Sequence, residues 1–282
     1  MELFGFGDAG AFLEAVEPAL LEREAAHSLL LGSAAALQGS DSGGAYLAAV
    51  RDRGGLVAAA LLDGARPLLV ASDREALGAA AELLARDLAD AGRTPAAVHG
   101  RERHVAAFAR CWTDRSGGTA TVVMRQRLHA LAEVRRVALP RGALRPAGPD
   151  DLELLADWVV AFEREALGDA DVPRLRAAAA RRLAAGEPYL WVDELPRAMA
   201  ATARPTRHTI SINAVYTPPA ERGRGYATGC VALLSERMLA AGRRACVLFT
   251  DLANPTSNAI YARIGYQPVA DFVLVELDGA GR

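Results

Sequence analysis

Lysine is missing from this chain: every one of the 32 residues that could be lysine or arginine is arginine. That excludes a Schiff-base lysine, a phosphate-loop lysine and a self-acetylated lysine side chain. Cysteine is scarce. Cys111, Cys230 and Cys246 are odd in number, far apart and without metal-ligand spacing, so they read as free thiols in a reducing compartment. No apolar run approaches the roughly 20 residues that a bilayer span needs, because Arg, Asp and Glu interrupt each one. The opening MELFGFGDAG has acids and no basic stretch, so it does not read as a secretory signal, and a cytoplasmic location is expected. A net charge of −2 and a pI near 6.2 give no footprint for nucleic acid and no polybasic membrane anchor. What is abundant is alanine and arginine, as in a GC-rich bacterial genome. Hydrophobic residues make up 51% of 282, enough for two cores of roughly 130 to 150 residues each.

The stretch VALPRGALRPAGPDD, residues 137–151, is rich in proline and glycine and reads as a connection. It divides the chain into units 1–136 and 137–282. In the second unit two helical patterns are followed by the short apolar runs YLWVDEL, AMAATARPT and HTISINAVYT, which read as strands. RGYATGCVALLSERMLAAG then reads as a helix, ACVLFTD as a buried strand, NPTSNAIYARIG as a short helix and QPVADFVLVEL as extended. The first unit repeats that order of element types, which suggests a degenerate tandem repeat.

The segment VYTPPAERGRGYATG sets an RGRG turn at the mouth of a helix. A helix N-terminus carries unpaired N–H groups and the positive end of the macrodipole. Gly223 and Gly225 let the backbone approach a ligand closely, and Arg222 and Arg224 add positive charge. The combination suits a diphosphate. A nucleotide phosphate loop needs GxxxxGK[ST], which is missing. A dinucleotide fingerprint needs GxGxxG or GxGxxA directly after a strand; here Thr228 follows the glycine pair, and a proline-bearing loop precedes it.

The segment RGRGYA, Arg222 to Ala227, resembles the acyl-CoA signature [QR]xxGxG/A of the GCN5-related N-acetyltransferase (GNAT) superfamily. The flanking strand, helix, strand and Asn-containing helix follow in the expected order, and the resemblance covers roughly residues 141–277. It implies an α/β fold, a twisted mixed sheet flanked by helices. Its fourth and fifth strands, residues 208–217 and 245–251, splay apart. It implies acetyl-CoA as co-substrate, no metal, and acetyl transfer to a primary amine by direct attack on the thioester. Pantetheine would pair near Val215, Tyr216 and Thr217. The diphosphate would sit on amides from Arg222 through Gly223, Arg224, Gly225, Tyr226 and Ala227 to Thr228. Asn254 and Asn258 would lie on the other side. From their positions alone, Asn254 also suits a turn and Asn258 a helix cap.

By the same resemblance Tyr261 would serve the leaving thiolate. A tyrosine pKa of about 10 against a thiol pKa of about 8.5 makes full proton transfer uphill by roughly 2 kcal/mol, so hydrogen-bond donation is the useful role. The fourth strand offers His208, Asn213 and Tyr216 but no carboxylate. Glu163, Glu165, Asp193 and Glu194 are candidate bases elsewhere, each also fitting a solvated face, and none is assigned as the base. In the first unit the matching turn is SDREALG. Asp73 there suits a helix N-cap with Glu75 in the first turn, so this unit is expected not to bind CoA. A non-catalytic acyl-CoA-binding module is the alternative function. The acceptor is expected to be a small-molecule or peptide amine, with no nucleic-acid or membrane partner.

Overall fold

The computed structural model describes residues 1–38, 44–64, 66–168 and 170–278; residues 279–282 of the second predicted unit lie outside the described residues. The first half runs β1 (Glu2–Gly5), α1 (Ala9–Leu20), α2 (Glu24–Ala35), β2 (Tyr46–Asp52), β3 (Gly55–Leu62), β4 (Leu68–Ala71), α3 (Ala79–Asp90), β5 (Ala97–Arg101), α4 (Glu102–Ser116) and β6 (Thr119–Leu131). The second half runs β7 (Ala143–Pro146), α5 (Leu152–Leu167), α6 (Val172–Ala184), β8 (Pro188–Asp193), β9 (Leu195–Ala203), β10 (Thr209–Tyr216), α7 (Tyr226–Ala240), β11 (Ala245–Asp251), α8 (Pro255–Ile264) and β12 (Gln267–Asp278). The two lists have the same order of element types, as the repeat predicts. Among the described residues no helix is long and apolar enough to cross a membrane.

All the strands join one sheet in the order β1-β2-β3-β4-β5-β12-β6-β11-β10-β9-β8-β7. Among the described residues only β4/β5 and β10/β11 are parallel pairs. The halves exchange their last strands: β12 lies between β5 and β6, and β6 lies between β12 and β11. Strands covered on both faces must be apolar on both faces. In β2, Tyr46, Ala48 and Val50 pack toward α3 and α4, while Leu47 and Ala49 pack toward α1 and α2. In the second half α7 and α8 cover one face, around Tyr226, Cys230 and Ile264, and α5 covers the other through Leu155.

Glu24, buried at the start of α2, accepts from the His208 amide at 2.7 Å, His208 Nδ1 at 2.8 Å, the Thr209 amide at 3.2 Å and Thr206 Oγ1 at 2.5 Å. These bonds hold its carboxyl below the ordinary range against the opposing effect of burial. One first-half carboxylate thus anchors the turn that leads into β10.

Helix α3 begins later than its sequence suggests. Its N-cap is Gly78, with no side-chain cap, so Asp73 is not the expected N-cap. Asp73 instead faces His27 Nε2 at 2.9 Å and Arg23 at 3.4 Å, and Glu75 faces Arg103 at 3.1 Å.

His99 on β5 sits against Phe249 and Phe272 with ring centroids 5.9 and 5.8 Å away. Burial pushes its pKa down to about 4. In the unfolded chain a histidine protonates near 6.5. Stability is therefore lost as pH falls from about 6.5 to about 4. At pH 5 the loss from His99 alone is about 2 kcal/mol. Urea unfolding at pH 7.5 and 5.0 should show it, and His99→Gln should reduce the difference by that amount. An equal pH difference in both proteins would refute the assignment.

Candidate functional site

β10 and β11 pair only from Thr209↔Ala245 to Ser211↔Val247. Beyond that, residues 212–216 continue without β11. The cause is a bulge: the β9 register passes from Asn213↔Ala201 to Tyr216↔Met199, and Ala214 has φ +48°. A bulge bends its strand and takes backbone groups out of the ladder. The resulting gap opens into a cleft of about 940 Å³. Among the described residues the first half shows no such overhang. β4 ends one residue after its last pair with β5, Val70↔Gly100. The strands lie so close that a Cβ on Gly100 would be 2.6 Å from the Val70 carbonyl oxygen. The cavity beside them is about 10 Å³, room for one water.

α7 points its N-terminus into the large cleft. Its N-cap is Gly225 at φ +83°, preceded by Gly223 at +79°, a conformation that side chains with a Cβ resist. The Arg222 amide donates to Pro219 O at 3.3 Å, so that amide is taken. The first backbone bond into the helix is Gly229 N–H to Gly225 O, 2.9 Å. Among the described residues, the amides from Gly223 to Thr228 have no acceptor from backbone or side chain. Thr217 Oγ1, also in the cleft, is buried without a partner. These orphaned donors fit an anionic ligand.

The guanidiniums are placed differently from the sequence expectation. Arg222 lines the cleft but donates to Glu165 at 2.6 Å and to Thr217 O at 2.9 Å. Arg224 does not line the cleft; it meets Glu221 at 3.0 Å, and Glu221 also meets Arg197 at 2.8 Å. Asn258 likewise does not line it. Its amide donates to the carbonyls of Asp251 and Asn254 at 3.2 and 2.9 Å and holds the turn before α8. Asn254 lines the cleft while capping α8 through the Ser257 amide at 3.1 Å. Val215, Tyr216, Thr217, Gly223, Gly225, Tyr226, Ala227, Thr228 and Tyr261 all line it.

Tyr261 is buried, and no hydrogen bond reaches its hydroxyl from the described residues. Burial, with Cys230 nearby, pushes its pKa well above the ordinary tyrosine value. It remains protonated and can donate. The Cys230 and Cys246 thiols are pushed up to about 12 by burial, which disarms them as nucleophiles near neutrality.

The sequence offers Glu165 only as a solvated candidate for a base, and several other lining residues it does not single out. Glu165 enters from α5 and accepts from the Tyr216 hydroxyl at 3.3 Å; Glu163, Asp193 and Glu194 stay on other partners, Arg174, Tyr226 with Arg141, and Arg141. His208 is held by Glu24, away from the cleft. Arg136, Val137 and Ala138, from the connection between the halves, form part of the wall. The apolar Val137 and Leu144 in that connection, both packed on the core under α7 and α8, are local signals that it packs.

Residues 192–273 match a protein-family model described as FR47-like protein. No curated protein matches the chain. A GCN5-related N-acetyltransferase from Sphaerobacter thermophilus superposes with a TM-score of 0.61 at 18% identity, over 99% of this chain and 97% of that one. A GNAT-family acetyltransferase from Colwellia psychrerythraea gives 0.58 at 12% identity, over 98% and 99%. A tandem GNAT protein from the clavulanic acid biosynthesis pathway gives 0.57 at 16% identity, over 100% and 99%. The shared architecture spans both halves of the sheet.

Proposed function

We propose that this chain is a GCN5-related N-acetyltransferase in tandem form, a reading supported by the FR47-like match over residues 192–273 and by the fold shared with a tandem GNAT protein and other GNAT proteins, and that it transfers acetyl from acetyl-CoA to a primary amine. The observation that carries this reading is the row of amides from Gly223 to Thr228, left without acceptors at the mouth of the cleft. Acetyl-CoA supplies an acetyl group activated as a thioester. The α7 amides would hold its diphosphate, each charge-assisted bond contributing on the order of 1.5–3 kcal/mol. Arg222 would add its charge by turning from Glu165. A backbone N–H at the β10 bulge, near Val215, would donate to the carbonyl oxygen as negative charge grows on it.

The acceptor, once its ammonium proton has gone to solvent, bonds through nitrogen to the carbonyl carbon, the carbon–sulfur bond breaks, and the second proton the nitrogen sheds passes to solvent or to the released thiolate. Tyr261 would donate its O–H to the departing sulfur. Its raised pKa makes full transfer of that proton more uphill than for an ordinary tyrosine, so donation is its role. Glu165 and Glu221 are the carboxylates lining the cleft. Glu221 is divided between two guanidiniums, which leaves Glu165 to attract a protonated acceptor. We assign the cofactor and chemistry to residues 137–282. Residues 1–136, whose β4 and β5 stay closed, would support the sheet and contribute Arg136 to the wall of that cleft, without a CoA cleft of their own. A non-catalytic acyl-CoA-binding role draws support from the lack of a carboxylate on β10.

Calorimetric titration with CoA, and thiol release from acetyl-CoA across a panel of amines, test the reading. Tyr261→Phe should cut turnover about 100-fold. It should leave CoA affinity and the thermal midpoint unchanged, because no hydrogen bond is lost on folding. Binding without turnover for any amine would favour the non-catalytic role, and no binding would end the proposal.

A further inference from the structure

A second cleft, of about 650 Å³, opens where β4 and β5 end. The start of α4 and residues 269–271 of β12 form part of its wall, so both halves build it. Its charged side chains are paired, with one exception. Arg23 faces Asp73 at 3.4 Å, Arg103 faces Glu75 at 3.1 Å and Arg74 faces Asp52 at 3.2 Å. Glu102 meets Arg125, and Asp271 meets Arg127 at 2.6 Å.

The exception is Arg101. It ends β5 and lines both this cleft and the cavity of about 10 Å³ beside it. Its Nε and Nη2 are buried without a hydrogen-bond partner, and it makes no ion pair among the described residues. The acid whose charge reaches it, Asp73, is already shared by His27 Nε2 at 2.9 Å and Arg23. Burial, then the Arg23 charge, pulls its pKa down, yet a guanidinium stays charged near neutrality. A water in the small cavity would accept an N–H but bring no charge. A half-buried cation with two orphaned donors is costly to keep in a fold unless something pairs with it. α4 begins at the next residue with no side-chain cap, so the positive end of its dipole lies beside the same guanidinium.

We propose that Arg101 anchors a binding site for a small monocarboxylate in the first half, separate from the acyl-transfer cleft and independent of the acetyl-CoA reading. The charge count sets the class. One uncompensated guanidinium matches one negative charge. The rim carries the carboxylates of Asp73, Glu75, Glu102 and Asp271, which repel a phosphate dianion more strongly than a single carboxylate. A planar carboxylate also fits the fork of a guanidinium through two parallel N–H···O bonds. It would meet Nη1, the nitrogen that is not buried, and share Nη2 through the end of the fork.

The test is NMR titration of the full chain at low salt with acetate, propanoate and benzoate, each against its neutral amide and against inorganic phosphate. At least one carboxylate should bind tenfold more tightly than its amide and than phosphate. It should shift one arginine Nε–H signal, the one that is missing from Arg101→Gln. Affinity should fall at least tenfold in Arg101→Gln and stay at the wild-type level in Arg103→Gln, whose arginine is already paired. Should Arg101→Gln fail to fold, Arg101→Lys, which keeps the charge and loses the fork, should show the same fall. Saturating CoA should leave the carboxylate in place. No binding by any carboxylate, equal binding by its amide, undiminished binding without Arg101, or displacement by CoA would overturn the site. Preference for phosphate would overturn the assigned class.

Discussion

Replacing Ala227 by glutamate should abolish CoA binding while leaving the protein as stable as before. Ala227 is the second residue of α7 and lines the cleft. A carboxylate there sits in the first turn of a helix whose N-cap offers no side-chain acceptor. It would gain about 0.3–1 kcal/mol from the macrodipole. The loss of alanine's helix propensity takes back a few tenths of a kcal/mol. For a diphosphate the same carboxylate is a like charge in its binding site. At about 5 Å and an effective dielectric near 20, one pair of charges costs about 3 kcal/mol, more than 100-fold in affinity. A general loss of structure would lower both stability and binding, so the opposite responses separate the two causes. Titration calorimetry and a thermal melt on the same samples read them. CoA affinity at the wild-type level in Ala227→Glu would show that the diphosphate lies elsewhere.

Fragments 1–136 and 137–282 should each fail to fold alone and should recover structure when produced together. In the intact sheet β6 is bonded only to β12 and β11, and β12 only to β5 and β6. Cutting between the halves leaves β6 with no neighbour in its own fragment, and β12 with none in its own. Phe272, Val273, Val275 and Leu277 of β12 are buried against the other half's strands and helices. Exposing four such side chains costs about 6–12 kcal/mol at 1.5–3 kcal/mol each. That is comparable to the whole stability of a typical domain, about 5–15 kcal/mol. Circular dichroism and size-exclusion chromatography of each fragment, then of the mixture, would show it. A monomeric, cooperatively folded 137–282 fragment would mean that the exchanged strand is dispensable.

The contrast between the two β-α turns shows where local reading succeeds. RGRG has no side chain able to cap a helix at Gly225, and in the structure the α7 amides are open as the sequence implied. SDREALG has an acid at the place where helices often begin, yet Gly78 is the cap and Asp73 turns to His27 and Arg23. The capping rule looks only a few residues ahead. It cannot see a histidine that arrives from another helix. Arg222 and Arg224 were legible as charges beside the turn, but their partners Glu165 and Glu221 depend on where α5 and the turn before α7 come to rest.

The sequence by itself determined the repeated order of helices and strands and the glycine-spaced turn, because these follow from hydrophobic period, backbone freedom and capping within a few residues. Tertiary structure alone decided that the two halves trade their final strands, that the connection between them walls the cleft, and that Glu165 reaches into it. Each of those is a pairing between segments far apart in the chain. Such pairings are selected by which apolar faces and unpaired backbone groups must be covered together, and no local pattern records the choice.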